Sequence, residues 1–545
     1  MKLFSISVLV LHAFKSSGIC AASPKAKDTT PQSLSLSRDL NEARAARWYE
    51  LGEGVGGENF NDKAGQCVAT SADGQVLAVS SPLYRNKNKN ELNNGRVRVF
   101  GFDPIRDAWI KTGNDILGEE FSELGTSLDM DAYGKNLVVG MPFHDNDAGK
   151  EAGSIKVYIY DYASGEEEWI QKGPTLVGTD HFDHFGAAVA ISHDGRIIAV
   201  GSPNEEARVT EMNMKEVGVV RVYKYESNVA DWVQMAMIKG QQLYEHFGSA
   251  ISMDFDGKNM VVGAPDHGPY NAGMIRIYHY NVTVMAYQEV NSPTAMALGE
   301  RFGATVDMSR DGSSVIAGAP MHKGNDVLYH SGHARVFQRV DNEWERKGQS
   351  LVGSHEGDQA GSSVSISHDG NVVAVGSAYS DQMGRDSGRV ELFLWDDTDG
   401  WIGMNLDVSA YRKSREIKGH GPLDLLGTSV SLSRSGEEVA VGAPGGQYAR
   451  IFALRATSPP TMAPTEFVED DGGKKRKGNG LGGFRVFYLV IMISLLSFVV
   501  FYAIFKGSKW LMKRMTVNRH QPEVVPPSDN LEMRQVEDGE EAEML

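Results

Sequence analysis

The chain has 545 residues and a formal net charge of −17, with 23% charged and 41% hydrophobic residues. That acidity speaks against a general nucleic-acid binder, so no nucleic-acid partner is expected. There are two cysteines, Cys20 and Cys67. With Cys20 in a segment expected to be removed, the fold has to stand without an internal disulfide. Cys67 is then read as a small apolar core residue and not a nucleophile.

Residues 1–22 read as a signal peptide: Lys2, a short apolar run from Leu3 to Phe14, then small residues around Cys20-Ala21-Ala22. Residues 23–45 are polar, contain Pro24 and Pro31, and form a flexible leader. From 46 to 455 one unit repeats. Its clearest copy begins at Gly361 and runs Ser-Val-Ser-Ile-Ser-His-Asp-Gly-Asn-Val-Val-Ala-Val-Gly over residues 363–376. Val364 and Ile366 alternate with small polar residues as in a strand. Asp369-Gly370 is a hairpin turn, and residues 372–375 are an apolar run suited to a strand covered on both faces. The same stretch starts at Gly65, Gly125, Gly186, Gly248, Gly303 and Gly427, making seven copies 55 to 66 residues apart.

Each copy continues with two more strand-like pieces. The third follows a glycine, as in Gly95-Arg96-Val97-Arg98-Val99-Phe100, and the fourth opens on an aromatic: Trp109, Trp169, Trp232, Tyr287, Trp344 or Trp401. Four strands at a period near sixty, repeated seven times, predict an all-β, seven-bladed β-propeller. The ends of the repeat predict how the ring closes. Trp48-Tyr49-Glu50-Leu51-Gly52 is a fourth strand without a hairpin before it. The last copy stops at its third strand, Ala449-Arg450-Ile451-Phe452. An N-terminal outer strand therefore completes the last blade, which removes an exposed sheet edge.

Residues 456–485 change character, with Ser458-Pro459-Pro460-Thr461 suggesting an extended stalk. Residues 486–505 are a 20-residue run without a charge. That is long enough for one transmembrane helix, because about 20 apolar residues span a bilayer core. Basic residues are balanced on the two sides, so orientation follows from the signal peptide. The expectation is a single-pass type I protein of the cell membrane, with the propeller extracellular and an acidic cytoplasmic tail at 506–545.

Phe185-Gly186, Phe247-Gly248 and Phe302-Gly303, each followed about 15 residues later by Gly-Ala/Ser-Pro, resemble the FG-GAP repeat. That repeat builds the propeller at the head of integrin α subunits and of other surface proteins. The resemblance covers roughly residues 48–454 and implies a propeller at a cell surface. It also implies Asp-rich calcium loops between the first two strands, and here the chain departs from the family: most of these links are short Ser-x-Asp-Gly turns. Asp254-Phe255-Asp256 and Asp129-Met130-Asp131 come nearest to the calcium pattern. The sandwich domains that follow an integrin head are absent, so the chain resembles an FG-GAP surface protein more than an integrin.

Four kinds of candidate site emerge. Ca2+ is the one possible cofactor, with Asp254 and Asp256 in one turn and Asp145 and Asp147 in the oxygen-rich loop 144–151 as ligands; plain turn chemistry is the alternative. A basic residue recurs in the third strand: Arg98, Lys156, Arg221, Arg276, Arg335 and Arg450, with Glu391 in the sixth copy. It is either a ring for an anionic ligand or a set of charges paired with neighbouring carboxylates. Asn281-Val282-Thr283 is a glycosylation sequon. The loops between second and third strands vary most and should gather on one rim as a binding face. There is no nucleophile elbow, HExxH, P-loop or CxxC pair, so no catalytic residue is singled out. The expected function is adhesion or reception of an extracellular protein or glycan, with a possible cytoplasmic partner for the tail. A glycan-acting enzyme and a structural wall or matrix component are the alternatives.

Overall fold

A computed structural model describes residues 47–455, apart from short stretches at 60, 87–90, 163–164, 166, 210–211, 291, 294–297, 324–328, 405, 409–411 and 415. The signal peptide, leader, stalk, apolar run and tail lie outside the described residues. Among the described residues every regular element is a strand, and no helix is long and apolar enough to cross a membrane.

Seven antiparallel sheets of four or five strands are the blades of a propeller, and two short hairpins, Ala207–Val209 with Met212–Met214 and Leu406–Val408 with Arg412–Ser414, stand outside them. Blade 2 is typical. Its inner strand, Ser127–Met130, pairs with Asn136–Met141, which pairs with Ser154–Asp161 and then with the outer strand Glu168–Gln171. The turn between the first two strands is made by local side-chain bonds. In blade 6, Ser367 Oγ donates to Asp369 Oδ1 (2.7 Å) and accepts from the Val372 amide (2.9 Å). The Ser-Asp pair recurs at Ser71–Asp73, Ser192–Asp194 and Ser309–Asp311. The aspartate at each of these turns is thus a turn cap that satisfies backbone amides.

Second strands are buried on both faces; Leu137, Val138 and Val139 are fully inaccessible. Small residues there are a steric requirement. A Cβ on Gly376 would lie 2.2 Å from the carbonyl oxygen of Gly427, the glycine that opens the inner strand of the next blade, and Gly263 stands in the same relation to Gly303. Each apolar cluster spans two blades, for example Val97 and Val99 of blade 1 with Leu137, Val139 and Trp169 of blade 2. The outer-strand tryptophans add directed links. The indole of Trp169 donates to Thr112 O (3.2 Å), Trp232 to Lys172 O (2.9 Å), Trp401 to Lys347 O (2.8 Å) and Trp109 to Leu51 O (3.0 Å), each on the preceding blade.

The ring closes as the ends of the repeat predict. Arg47–Glu50 pairs antiparallel with Tyr448–Arg455, Trp48 facing Leu454, and Val55–Gly56 adds a second short pairing to the same strand. Trp48 is 3% exposed, in a cluster that joins blades 6 and 7. Antiparallel order places all first-to-second strand turns on one face of the ring. The loops from second to third strand, and those entering each inner strand, lie on the other. These are called the turn face and the loop face below.

Candidate functional site

The seven inner strands surround a narrow axial cavity of about 110 Å3, lined by residues of every blade. That space holds several waters or a small oxyanion, since about 10–15 Å3 of such volume admits one water. Two structural rings make its wall. The fourth residue after the opening glycine is polar in five of the seven blades (Asp129, Ser252, Asp307, Ser365 and Ser431), and its side chain reaches across to a neighbouring blade. Asp129 accepts from the Ile191 amide (2.9 Å). Asp307 accepts from Ser252 Oγ (2.9 Å) on one side and from Ser365 Oγ (3.0 Å) and the Ile366 amide (2.9 Å) on the other. Ser431 meets Thr70 at 3.1 Å across the seam between blades 7 and 1. At the seventh residue the backbone itself is shared: Ala72 N bonds Ala132 O, Ala132 N bonds His193 O, His368 N bonds Arg434 O, and Arg434 N bonds Ala72 O.

These rings place two kinds of charge on the axis. Within the cavity wall, burial pushes the Asp129 carboxyl up to about 7, against backbone hydrogen bonds that favour the anion, and Asp307 is raised for the same reason. At the turn-face mouth stand His193, Arg310, His368 and Arg434, all lining the cavity. Arg310 lies over the Phe255 ring at 4.4 Å. Among the described residues neither Arg310 nor Arg434 forms a salt bridge, and Nδ1 of both His193 and His368 is buried without a hydrogen-bond partner. Burial pushes the His193 ring down to about 4, with Arg310 and His368 adding repulsion. Burial and then Arg434 lower both Arg310 and His368. The mouth is thus a converging set of cations and neutral imidazoles whose mutual repulsion an anion would relieve.

The third-strand basic residues are on the loop-face half of the blades, and each has a carboxylate. Arg221 binds Glu205 (2.7 Å), Arg276 binds Glu245 through both nitrogens (2.9 Å each), Arg98 binds Glu58 (3.0 Å) and Arg335 lies 3.7 Å from Glu300. Lys156 pairs with Glu119 and Arg450 with Glu50. Of the two readings of this series, pairing with neighbouring carboxylates is the one the geometry carries. Burial works against the charge on Glu245, yet Arg276 outweighs it and holds the carboxyl below its ordinary value.

The aspartates considered for calcium lie in two separate turns. Asp254 is buried, accepts from Asn259 Nδ2, and is pushed up to about 6 by that burial. Asp256 pairs with Lys258 two residues on. Asp145 accepts the Glu151 amide (2.8 Å), closing a turn in which Asn146 also bonds the Ala148 amide (2.8 Å); Asp147 lies in the same turn. Asn281 sits at the end of Met274–Asn281, where its Nδ2 donates to Gln288 (2.9 Å) and its Oδ1 accepts from the Thr283 amide (2.9 Å). Cys67 is half-buried, donates to Thr126 O of the next blade (3.0 Å), and is pushed up to about 12 by burial. On the loop face, the variable loop of blade 1 borders an open groove of about 610 Å3 that includes Asn59, Asn61, Arg85 and Asn93.

The axial residues are the ones sequence reasoning missed. The signal existed: the seventh residue after each opening glycine runs Ala72, Ala132, His193, Phe255, Arg310, His368, Arg434. Four basic residues at one repeat position converge only once the repeat is known to close into a ring. No protein-family model matches the chain, and no curated protein matches it either.

Proposed function

We propose that this is a single-pass cell-surface protein of FG-GAP type whose extracellular propeller receives an anionic group of a protein or glycan ligand at the axial mouth. The observation that carries the reading is the set His193, Arg310, His368 and Arg434 around one cavity, with the two arginines in no salt bridge among the described residues. The small cavity suits a sulfate, phosphate or carboxylate borne by a larger ligand that rests on the turn face. Display at the surface is supported by the apolar run 486–505, the signal-like residues 1–22 and the sequon at Asn281. The Phe-Gly pattern, which opens the inner strands of blades 3, 4 and 5 and is followed there by Gly-Ser-Pro or Gly-Ala-Pro, supports the family reading.

A second reading draws on the same cavity. Asp129 and Asp307 both line it, and converging carboxyl groups are what a glycan hydrolase needs. Their oxygens are, however, already engaged by backbone amides and serine hydroxyls of their own and neighbouring blades. Binding is therefore the reading preferred.

The test uses residues 23–458 on arrays of sulfated, carboxylated and neutral glycans, beside an Arg310→Glu/Arg434→Glu variant. Saturable, salt-sensitive binding of acidic glycans that the variant loses by more than about tenfold, roughly 1.4 kcal/mol, is expected. Equal binding by the variant would remove the axial mouth from consideration and direct attention to the groove beside Asn59 and Asn93. Release of reducing sugar by wild type would favour the enzyme.

A further inference from the structure

We propose that Glu300, His322 and His333, in blade 5, form a binding site for a divalent transition-metal ion, of which zinc fits the donors best. The site is on the loop face, separate from the axial mouth, and does not rest on the function proposed above.

Three different segments bring the donors together. Glu300 stands three residues before Gly303, which opens the inner strand of this blade. His322 follows the second strand, Ser314–Ala319, and His333 is the first residue of the third, His333–Val340, opposite Ala319. One ligand atom from each residue lies within 4.8 Å of the other two. His322 Nδ1 is 2.6 Å from Glu300 Oε1, and the two imidazoles meet edge to face at 4.2 Å.

The second observation is unmet bonding capacity at the same place. Glu300 is 1% exposed and His333 fully inaccessible. Glu300 Oε2 and both ring nitrogens of His333 are buried with no hydrogen-bond partner. Each such orphan costs about 1–3 kcal/mol, so three in one spot need a reason. A cation supplies one, because it takes a lone pair from the carboxylate and one from the imidazole.

The donor chemistry sets the ion. Two imidazoles and one carboxylate are a zinc set with a fourth position open to water or another ligand. Calcium and magnesium want oxygen donors in larger number. Zinc bonds of about 2.0–2.2 Å require the three groups to draw in, and the His322–Glu300 hydrogen bond gives way to a shared ion. Arg335 opposes binding, but weakly: its single contact with Glu300 is 3.7 Å, and its Nε faces Ser350 Oγ. His322 is 22% exposed in its side chain, which leaves an entry path.

The repeat shows that the fold does not demand this set. In blade 4 the same three positions hold Glu245, His267 and Met274, and in blade 6 Asp358, Ser380 and Arg389. Arg389 there binds Asp358 at 3.0 Å. The substitution His333→Arg therefore removes a ligand while restoring the residue that blade 6 carries, and offers a variant that folds.

The test takes the full chain without a histidine tag, strips it with chelator, reloads it with micromolar zinc, desalts it and counts metal by mass spectrometry. Cobalt substitution reports geometry through its visible absorption. One zinc per wild-type chain and a tetrahedral cobalt spectrum are expected. His333→Arg, folded by its urea midpoint, should bind more than about a hundredfold more weakly, since even second-layer changes cost 10–100-fold. Substoichiometric uptake by wild type, or equal uptake by wild type and His333→Arg, would overturn the proposal.

Discussion

Blades 4 and 5 carry a glutamate at the same position, and the two glutamates live differently. Glu245 is fully buried and saturated: Arg276 binds it through two nitrogens and His267 through a third contact at 2.6 Å. Glu300 is as deeply buried but has a distant arginine, one histidine and a vacant oxygen. The axis offers a third case, Asp129, held by backbone amides with no cation in contact. The lesson is that burial alone decides little. A buried carboxylate next to a well-placed guanidinium is a structural anion, whereas one without it is pushed towards its neutral form or left with capacity for something else.

The largest effect should come from breaking the saturated pair. Arg276→Met strands the Glu245 charge and is expected to cost about 3–5 kcal/mol in urea denaturation. Arg335→Met, its counterpart in blade 5, should cost no more than about 1 kcal/mol, because the contact it removes is long and partly solvated. Equal losses would mean that the two blades are not different in the way described.

A smaller contrast lies in the outer strands of the same ring. Trp169 donates to Thr112 O, whereas the indole nitrogen of the half-buried Trp344 of blade 5 is buried without an acceptor among the described residues. Replacing each by Phe removes similar apolar area, but only Trp169→Phe also leaves a carbonyl unpaired. It should cost about 1 kcal/mol more than Trp344→Phe.

A last contrast is a pH dependence. The Asp129 carboxyl is raised from 3.8 to about 7, so the folded ring holds this proton more tightly than the unfolded chain. Its contribution is present below pH 3.8 and is lost as pH rises through about 7. The stability of wild type relative to Asp129→Asn should therefore decline across that window in paired urea titrations. Glu245 has the opposite sign: its lowered carboxyl stabilises above the ordinary glutamate value and is lost as pH falls through the folded one. A flat difference for Asp129→Asn would place that carboxyl in solvent.

The blades were legible because their causes are local. Gly361, Asp369-Gly370 and the run from Val372 write a hairpin into consecutive residues, and seven copies fix the ring. Even the closing strand could be inferred from Trp48 and from the fourth-strand piece that the seventh copy lacks. The functional geometry was not legible in that way. Arg310 and Arg434 are 124 residues apart in the chain and become neighbours only through closure. Glu300, His322 and His333 read singly as a loop acid, a turn histidine and a strand residue; none has motif spacing. The carboxylate partners of the third-strand bases, such as Glu245 before Phe247-Gly248, were visible as residues but not as partners.

The closing strand has a consequence for the order of synthesis. Arg47–Glu50 leaves the ribosome before any blade exists, yet its partner, Tyr448–Arg455, is about four hundred residues later. Blades 1 to 6 can assemble as they emerge, while the first strand of the ring waits. Until residue 455 is made, blade 7 lacks the complete third strand on which Arg47–Glu50 pairs, and the cluster that receives Trp48 is unfinished. The ring is therefore a product whose first-made part is the last to be used, and a nascent chain has to keep that short segment unpaired through nearly the whole of its own translation.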